Sequence, residues 1–381
     1  MARVRIGLAG LLIVSLVGCG GSSSTSGSPA ASVVAPATTA PSMVRPTVSA
    51  TPSPSQTTGW RVVSTRSDLG PGRLKDVTTF RGSLIAVGAT DAGLGVIWSS
   101  ADGEVWRSIA GSTPLDGIVL QSVAAGDAGI VVVGWSDGGA VVLFSPDGVS
   151  WASEPLPGSH RGSSIESVAW RQGRFLAVGG GGEPFAVVSW RSEDGRVWKP
   201  VSIVAEGNQA SLNSVAAGPS GFVADGMHGG HGVVWVSTAG ETWSRVDLPI
   251  TAADDPGRLR YAGGKFFLPV SGGGVWISTD GQHWSKTTVP RFGVGVFDIA
   301  AIPGGFVAVG RSSEGSEPGV VASADSNLTR WTLLPADPAL DGALAAAVLV
   351  SPNRAYLVGV GMSLSDESVF LLADPSSLVS P

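Results

Sequence analysis

The stretch that decides the fold is Ser145-Pro146-Asp147-Gly148-Val149-Ser150-Trp151, a copy of the pattern Ser-x-Asp-Gly-x-x-Trp. Further complete copies span Ser100–Trp106, Ser192–Trp198 and Ser278–Trp284, and imperfect copies span Ser237–Trp243 and Ser323–Trp331. When Trp60 is added at the front, the tryptophans that end successive copies are 46, 45, 47, 45, 41 and 47 residues apart. A period of this length predicts a repeat architecture.

A second landmark, a short apolar run, recurs seven times, and all but the last run end about 18 residues before a tryptophan. The runs are Leu84–Gly88, Ile130–Gly134, Phe175–Gly179, Phe222–Gly226, Phe266–Val270, Phe306–Gly310 and Tyr356–Val360. A smaller strand-like segment with a turn signal precedes most runs, and a β-branched segment follows them. Four short strands in a unit of about 40–45 residues predict a propeller blade.

The Asp-Gly pair of each copy favours a two-residue hairpin turn, because glycine reaches positive φ without steric cost and aspartate can accept from turn amides. The tryptophan that follows begins the outer strand and buries a large apolar surface. We predict this structural role for Asp102, Gly103, Trp106, Asp147, Gly148, Trp151, Asp194, Gly195, Trp198, Asp280, Gly281 and Trp284.

These copies resemble the Asp-box (BNR-type) repeats of sialidase-like bacterial propellers, and the resemblance covers residues 60–374. It implies structural turns that face away from the usual active-site mouth. The copies also depart from the pattern: Ala239 replaces the aspartate of the fourth, and Asp325-Ser326-Asn327 replaces Asp-Gly in the sixth.

The C-terminal repeat supplies three strands and has no tryptophan, whereas Trp60–Val63 is an orphan strand one period before Trp106. Pairing these two segments leaves no open sheet edge. The sequence therefore predicts an all-β, seven-bladed β-propeller of four-stranded blades over residues 59–381, with the N-terminal strand closing the last blade.

The first residues predict export and anchoring. Arg3 and Arg5 precede the apolar stretch Ile6–Val17, which is too short to span a bilayer and is typical of a secretory signal. Leu16-Val17-Gly18-Cys19 resembles a bacterial lipobox, and Cys19 is the only cysteine of the sequence. The resemblance implies a diacylglyceryl thioether on Cys19 and acylation, for example by palmitate, of its freed amine.

Three segments follow from this assignment: a signal peptide over 1–18, a lipidated Cys19 with a Ser/Thr/Pro/Ala tether over 19–58, and the propeller over 59–381. The tether has too few apolar residues to order itself. We expect the propeller to stand on the extracytoplasmic face of the cell membrane, held there by the lipid.

Charge and composition exclude one class of partner. The formal net charge is −6, and no basic stripe is present, which argues against nucleic acid. In propellers, ligands usually meet the mouth formed by the loops between strands two and three and by the crossings between blades. The candidate ligand face is therefore assigned to Trp135, Asp137, Glu183, His228, His231, Arg311 and Glu314.

An enzyme is the alternative class. The resemblance implies that a sialidase would need three arginines, a tyrosine nucleophile with a glutamate, and an aspartate acid/base. The Arg-Ile-Pro phrase is absent, and Tyr261 and Tyr356 fall in strand-like runs. A glycosidase with two carboxylates stays open, because such a pair is defined by its separation in space. No catalytic residue is assigned.

His228 and His231 share a glycine-rich loop with Asp225 and could meet one metal ion, but no third or fourth ligand is fixed. We predict no metal and no cofactor. The sequence predicts a monomeric binding or scaffold module for an envelope protein or glycan, with a carbohydrate-active hydrolase of the sialidase-like kind as the alternative.

Overall fold

The computed structural model describes residues 60–64, 73–90, 94–109, 115–181, 186–202, 210–251, 254, 256–290, 295–311, 319–334, 343–351, 354–361 and 368–373. These residues belong to one compact unit, Pro54–Pro381. The signal segment, Cys19 and the tether lie outside them. The described strands form antiparallel four-stranded sheets, and one 3₁₀ turn, Ser271–Gly273, interrupts the pattern.

The first three blades each consist of four consecutive strands. Blade 1 contains β2 (Arg73–Phe80), β3 (Ser83–Ala89), β4 (Gly95–Ser100) and β5 (Arg107–Ser108). Blade 2 contains β6 (Ile118–Ala125), β7 (Ile130–Ser136), β8 (Gly139–Ser145) and β9 (Ala152–Ser153). Blade 3 contains β10 (Ser163–Arg171), β11 (Arg174–Gly181), β12 (Ala186–Ser192) and β13 (Lys199–Val201).

Blades 4 to 6 repeat this order. Blade 4 contains β14 (Ala210–Gly218), β15 (Gly221–His228), β16 (His231–Ser237) and β17 (Ser244–Thr251). Blade 5 contains β18 (Arg260–Ala262), β19 (Lys265–Val270), β20 (Gly274–Ser278) and β21 (Ser285–Thr288). Blade 6 contains β22 (Gly295–Ile302), β23 (Gly305–Arg311), β24 (Gly319–Asp325) and β25 (Trp331–Leu333).

The remaining sheet joins the two ends of the described chain. Its order is β1 (Arg61–Ser64), β28 (Ser368–Ala373), β27 (Arg354–Gly361) and β26 (Ala343–Ser351), and we call it the closing sheet. The N-terminal strand supplies its outer edge, with Arg61 opposite Leu372. The predicted number of seven blades is corrected accordingly: six blades are continuous, and the last repeat, with three strands, completes its sheet only with the other chain end.

The glycine that ends most of the apolar runs has a steric reason. In blade 2 the inner strand β6 bulges between Leu120 and Ser122, directly opposite Gly134 on β7. A Cβ on Gly134 would lie 1.9 Å from the carbonyl oxygen of Val119, so only glycine allows the two strands to approach. Gly226 of blade 4 meets Ser211 in the same way, at 1.8 Å. The bulge turns the following side chain toward the next blade.

The core lies between neighbouring sheets. Leu120 and Val123 of blade 2, for example, pack with Ile85 and Val87 of blade 1 in one apolar cluster. The closing sheet completes the circle, because Leu349 packs against the blade 1 cluster. Burial at every seam therefore stabilises the array.

Candidate functional site at the channel axis

One position near the start of the inner strands is polar in all six continuous blades. Its occupants are Asp76, Ser122, Ser167, Ser214, Arg258 and Asp298, which we call the axial ring. Arg258 lies just before β18 and is aligned with the others by its distance from the apolar run of blade 5. The aligned residue of the closing sheet is Ala347. In blades 1 to 4 and 6 this residue directly follows the bulge, which explains why the position is the same in each.

The axial ring links each sheet to the next through side-chain to backbone hydrogen bonds. The backbone N–H of the following blade donates to the ring residue in five cases. These are Val123 to Asp76 Oδ2 (3.1 Å), Val168 to Ser122 Oγ (3.3 Å), Val215 to Ser167 Oγ (3.2 Å), Leu259 to Ser214 Oγ (2.8 Å) and Val348 to Asp298 Oδ2 (3.0 Å). Inner-strand amides at the channel edge thus gain acceptors.

The two aspartates belong to blades 6 and 1, whose preceding sheets offer no side-chain acceptor at this position. Arg258 has only donors and Ala347 has no polar atom, so the blades that follow them receive nothing at this position. In those blades the aspartate accepts the amide of the next residue in its own strand. Ile299 N donates to Asp298 Oδ1 at 2.9 Å, and Val77 N donates to Asp76 Oδ1 at 3.0 Å. Each aspartate therefore accepts one amide from its own blade and one from the next.

Two arginines of blade 5 reach these carboxylates. Arg260 donates through Nε to Asp298 Oδ1 (2.7 Å) and through Nη2 to both Asp298 Oδ2 (3.0 Å) and Asp76 Oδ1 (3.1 Å). Arg258 Nη1 lies 2.6 Å from Asp76 Oδ1, and its Nη2 donates to the carbonyl of Gln121 at 3.2 Å. Asp76 belongs to blade 1, so the arginines of blade 5 cross the channel axis.

Charge pairing compensates for burial in this cluster. Asp76 is 2% exposed, and burial alone would raise its pKa, but Arg258, Arg260 and the hydrogen bonds from Val123 and Ser122 hold the pKa of Asp76 below its usual value. Burial opposes the charge of Arg260 as well, yet Asp298 and Asp76 raise its pKa. Asp76 and Arg260 are therefore held in their charged forms.

Two carboxylates close together at the axis could in principle form the catalytic pair of a glycosidase. Asp76 and Asp298 accept from the same Nη2 atom, so two carboxylates do lie close together at the axis. All four carboxylate oxygens, however, already accept hydrogen bonds from backbone amides and arginines. The general acid of a glycosidase needs a raised pKa, and that of Asp76 is lowered. The hydrogen bonds of this pair connect neighbouring blades.

Sequence reasoning missed this cluster. The signal was present, because aligning the apolar runs places Asp76, Ser122, Ser167, Ser214, Arg258 and Asp298 in one column. The missing step was the bulge, which makes that column face the neighbouring blade. Contact between Arg260 and Asp76, 184 residues apart, also depends on closure of the array.

Beside the axial ring lies an axial cavity of about 450 Å³. Its walls come from every inner strand, at the positions that follow the axial ring. One layer of the wall consists of Thr78, Ala124, Ala169, Ala216, Arg260, Ala300 and Leu349, which occupy aligned positions. Four alanines and one arginine in a single layer leave space at the axis and put one cation beside it.

Asp225 is a second buried carboxylate, on β15 opposite Ser214. It is 1% exposed, Oδ1 accepts from the hydroxyl of Ser214, and Oδ2 has no partner among the described residues. Burial, opposed by hydrogen bonds from Ser214 and Asn213, raises the pKa of Asp225 to about 7. In blades 1 to 3 the aligned residues are Val87, Val133 and Val178.

The Ser-x-Asp-Gly-x-x-Trp copies form turns between the third and outer strands, which we call the repeat turns. In blade 3, Ser192 Oγ accepts from Gly195 N (2.9 Å), and Asp194 Oδ1 accepts from the amides of Arg196 (2.9 Å) and Val197 (2.8 Å). The glycine has a φ of +78°. Asp102, Asp147 and Asp280 make the same bonds, at 2.7 to 3.0 Å.

These bonds shift the aspartate pKa values downward. For Asp147 the amides of Ser150 and Val149 lower the pKa to about 2, and for Asp280 the amide and ring of His283 lower it too. One sequence expectation needs correction: the turn is longer than a two-residue hairpin, and in blade 2 the outer strand begins at Ala152, after Trp151. Trp106, Trp151 and Trp198 are buried.

The imperfect fourth turn keeps only part of this pattern. Ser237 Oγ still accepts from Gly240 N at 2.8 Å, but Ala239 offers no carboxylate to the following amides. Arg174 of blade 3 adds a different contact, because its Nη1 donates to the carbonyl of Ala239 at 2.5 Å. In the sixth turn Asp325 Oδ1 accepts from Thr329 N at 2.8 Å, which retains the cap over the longer loop.

The candidate ligand face is described in part. Trp135 lies on β7 with 36% of its surface exposed, and Asp137 is exposed in the turn to β8. Arg311 occupies the position on β23 that Trp135 has on β7, although its side chain lies outside the described residues. Glu183 and Glu314 also lie outside them. The repeat turn of blade 2 is at the other end of β8, so Trp135 and Val149 mark opposite faces.

His228 and His231 are paired across the turn between β15 and β16. The Nδ1 of His228 is 3.0 Å from Nη1 of Arg245, and Arg245 also contacts Asp247. Asp225 lies on the same strand as His228, and its side chain is buried. Within the described ranges no group of three potential ligands could hold a metal ion. No described helix is long and apolar enough to cross a membrane.

Comparison with known proteins establishes the class. No protein-family model and no curated protein matches the sequence. The chain is similar to the solved structure of YCF48 bound to D1 peptide, with a TM-score of 0.58 and 18% identity over 83% of this chain and 97% of that chain. It is also similar to the WD40 β-propeller domain of Doa1, with a TM-score of 0.51 and 14% identity over 84% of this chain and 99% of that chain. The protein is a β-propeller with four-stranded blades.

Proposed function

We propose that this protein is a lipid-anchored, extracytoplasmic binding module, and that its partner is a protein segment of the cell envelope. A β-propeller fold is compatible with a binding or scaffold role, and the similar YCF48 is seen with a bound peptide. The lipid on Cys19 and the tether, expected from the sequence, would hold the propeller beside such a partner.

The observation that carries the proposal is the exposed indole of Trp135. Its aligned positions hold Ala89, Gly180, Met227 and Arg311, so among these blades the large apolar side chain is particular to blade 2. Exposed tryptophans beside polar turns are frequent anchors of protein interfaces. The engaged carboxylates at the axis weigh against the hydrolase alternative.

Site-specific crosslinking tests the proposal. A photoreactive residue at Asp137, beside Trp135, should crosslink a discrete envelope protein in living cells, and Trp135→Ala should remove that product. The matched control is a photoreactive residue at Val149, which is 66% exposed on the opposite face. Equal products from both positions, or a product that survives Trp135→Ala, would contradict the proposed face.

The anchor has its own test. Cys19→Ser should leave the protein uncleaved or released from membranes, because the thioether site is lost. A fully processed variant that still partitions with membranes would contradict the lipid anchor without affecting the proposed binding face.

A further inference from the structure

The axial cavity is large enough for a small ligand. Its volume of about 450 Å³ falls within the range of roughly 300–1,000 Å³ that ligand pockets occupy. Valine and alanine side chains line much of its wall, together with Thr78, Trp170 and Tyr261, and the exposed wall is more polar than apolar. A ligand that fits this lining combines a compact apolar part with polar atoms.

Among the described residues of the cavity wall, Arg260 is the charged one, whereas the polar groups of Thr78, Trp170 and Tyr261 are neutral. Nε and Nη2 of this guanidinium are held by Asp298 and Asp76, and 27% of the side chain remains exposed. None of the hydrogen bonds among the described residues uses Nη1. Because two carboxylates fix the plane of the guanidinium, the two N–H groups of Nη1 have a fixed direction before any ligand arrives.

The ligand's polar group follows from the chemistry of the wall. Arginine is a donor without acceptors, and the carboxylates behind it are already engaged. A ligand amine or ammonium would find no free carboxylate there, whereas a ligand oxygen would meet two preorganised donors. The guanidinium charge strengthens its hydrogen bonds to an anionic oxygen, which favours a carboxylate over a neutral carbonyl.

We propose that the axial cavity binds a small organic monocarboxylate, with the carboxylate on Nη1 of Arg260 and the apolar body between the alanine walls. The site is independent of the protein partner proposed for the face around Trp135. The same group could come from a free acid or from the C-terminus of a peptide, and the two sources differ in size and in the adjoining amide.

Calorimetric titration of the full chain tests the site. The probes are butyrate, hexanoate and 3-phenylpropionate, each beside its primary amide, and an N-acetylated tripeptide with a free or an amidated C-terminus. We expect saturable one-to-one binding of at least one acid, weaker by about tenfold or more for its amide. Binding by the free-ended tripeptide alone would identify a peptide terminus as the source.

A cavity-blocking variant gives the structural control. Ala300→Phe places a phenyl group in the wall layer without removing any contact of Arg260, and it should abolish binding. Ala101→Phe, at an exposed position in a repeat turn, should bind as the natural chain does. Absence of saturable binding for every acid, equal binding of acid and amide, or undiminished binding by a folded Ala300→Phe would overturn the proposal.

Discussion

The axial ring and the repeat turns use the same residue types, serine and aspartate, for opposite purposes. Ser122 and Asp76 are buried and bond to amides of another blade, 46 or 47 residues away. Ser192 and Asp194 bond to amides two or three residues away in the same turn, where Ser192 is buried and Asp194 is exposed. The same residue types thus act between repeats at the axis and within one repeat at the turn, and for aspartate the difference in burial sets the energetic consequence.

The largest expected effect lies at the axis. Arg260→Leu leaves the buried Asp76 and Asp298 without their shared cation, and should cost about 3–5 kcal/mol of unfolding free energy in urea titrations. Arg245→Leu, which removes an exposed partner of Asp247, should cost less than about 1 kcal/mol. Similar losses for the two variants would show that the axial ring is no more critical than the surface.

The second effect is a pH dependence at Asp225. Its pKa in the folded state is raised to about 7, so between about pH 4 and pH 7 the folded state keeps a proton that the unfolded state releases. Stability from this group is complete below its unfolded pKa and is lost as pH rises toward 7. Urea titrations at several pH values should show this decline.

Asp225→Val restores the residue of blades 1 to 3 and should remove that decline, with a larger gain at pH 8 than at pH 5. Asp247→Asn, at an exposed carboxylate, should keep the natural pH profile. An unchanged profile in Asp225→Val would mean that Asp225 is ionised throughout, against the burial argument.

A smaller effect is expected at the turns. Asp194→Ala removes two local acceptor bonds and should cost about 0.5–2 kcal/mol in thermal or urea unfolding, as for other local caps. Crosslinking from Asp137 should be unaffected, since the turn lies on the other face. Loss of crosslinking without loss of stability would place the binding site at the turns instead.

The smallest effect concerns the imperfect turn. Ala239→Asp restores an acceptor for the turn amides at an exposed position, while Ser237 already accepts from Gly240 N. The change should therefore be neutral to mildly stabilising, within about 0.5 kcal/mol of unfolding free energy measured by thermal unfolding. A clear destabilisation would show that the fourth turn does not accommodate the aspartate of the other copies.

Much of the fold could be predicted because its signals are local. The turn pattern and the apolar runs fix strand order within each repeat, and Trp60 indicates which segment completes the final sheet. The number of continuous blades needed correction because the last repeat shares its sheet with the N-terminal strand. The candidate site was harder to predict, because Arg260, Asp298 and Asp76 come into contact only when the array closes. Neither residue spacing nor composition indicates the bulge that directs the axial-ring side chains.

The hydrogen bonds of the axial ring also give the array a direction, because every amide that donates to this ring from another blade belongs to the blade that follows. Blades 2 and 3 both offer a serine and both present a valine amide, so either could follow the other. Blade 6 differs: it follows Arg258 and must bring its own acceptor in Asp298. The axial-ring residue of each repeat therefore restricts which blade can follow which. We expect exchange or duplication of repeats to be tolerated between blades 2 and 3 but not across blades 5, 6 and 1.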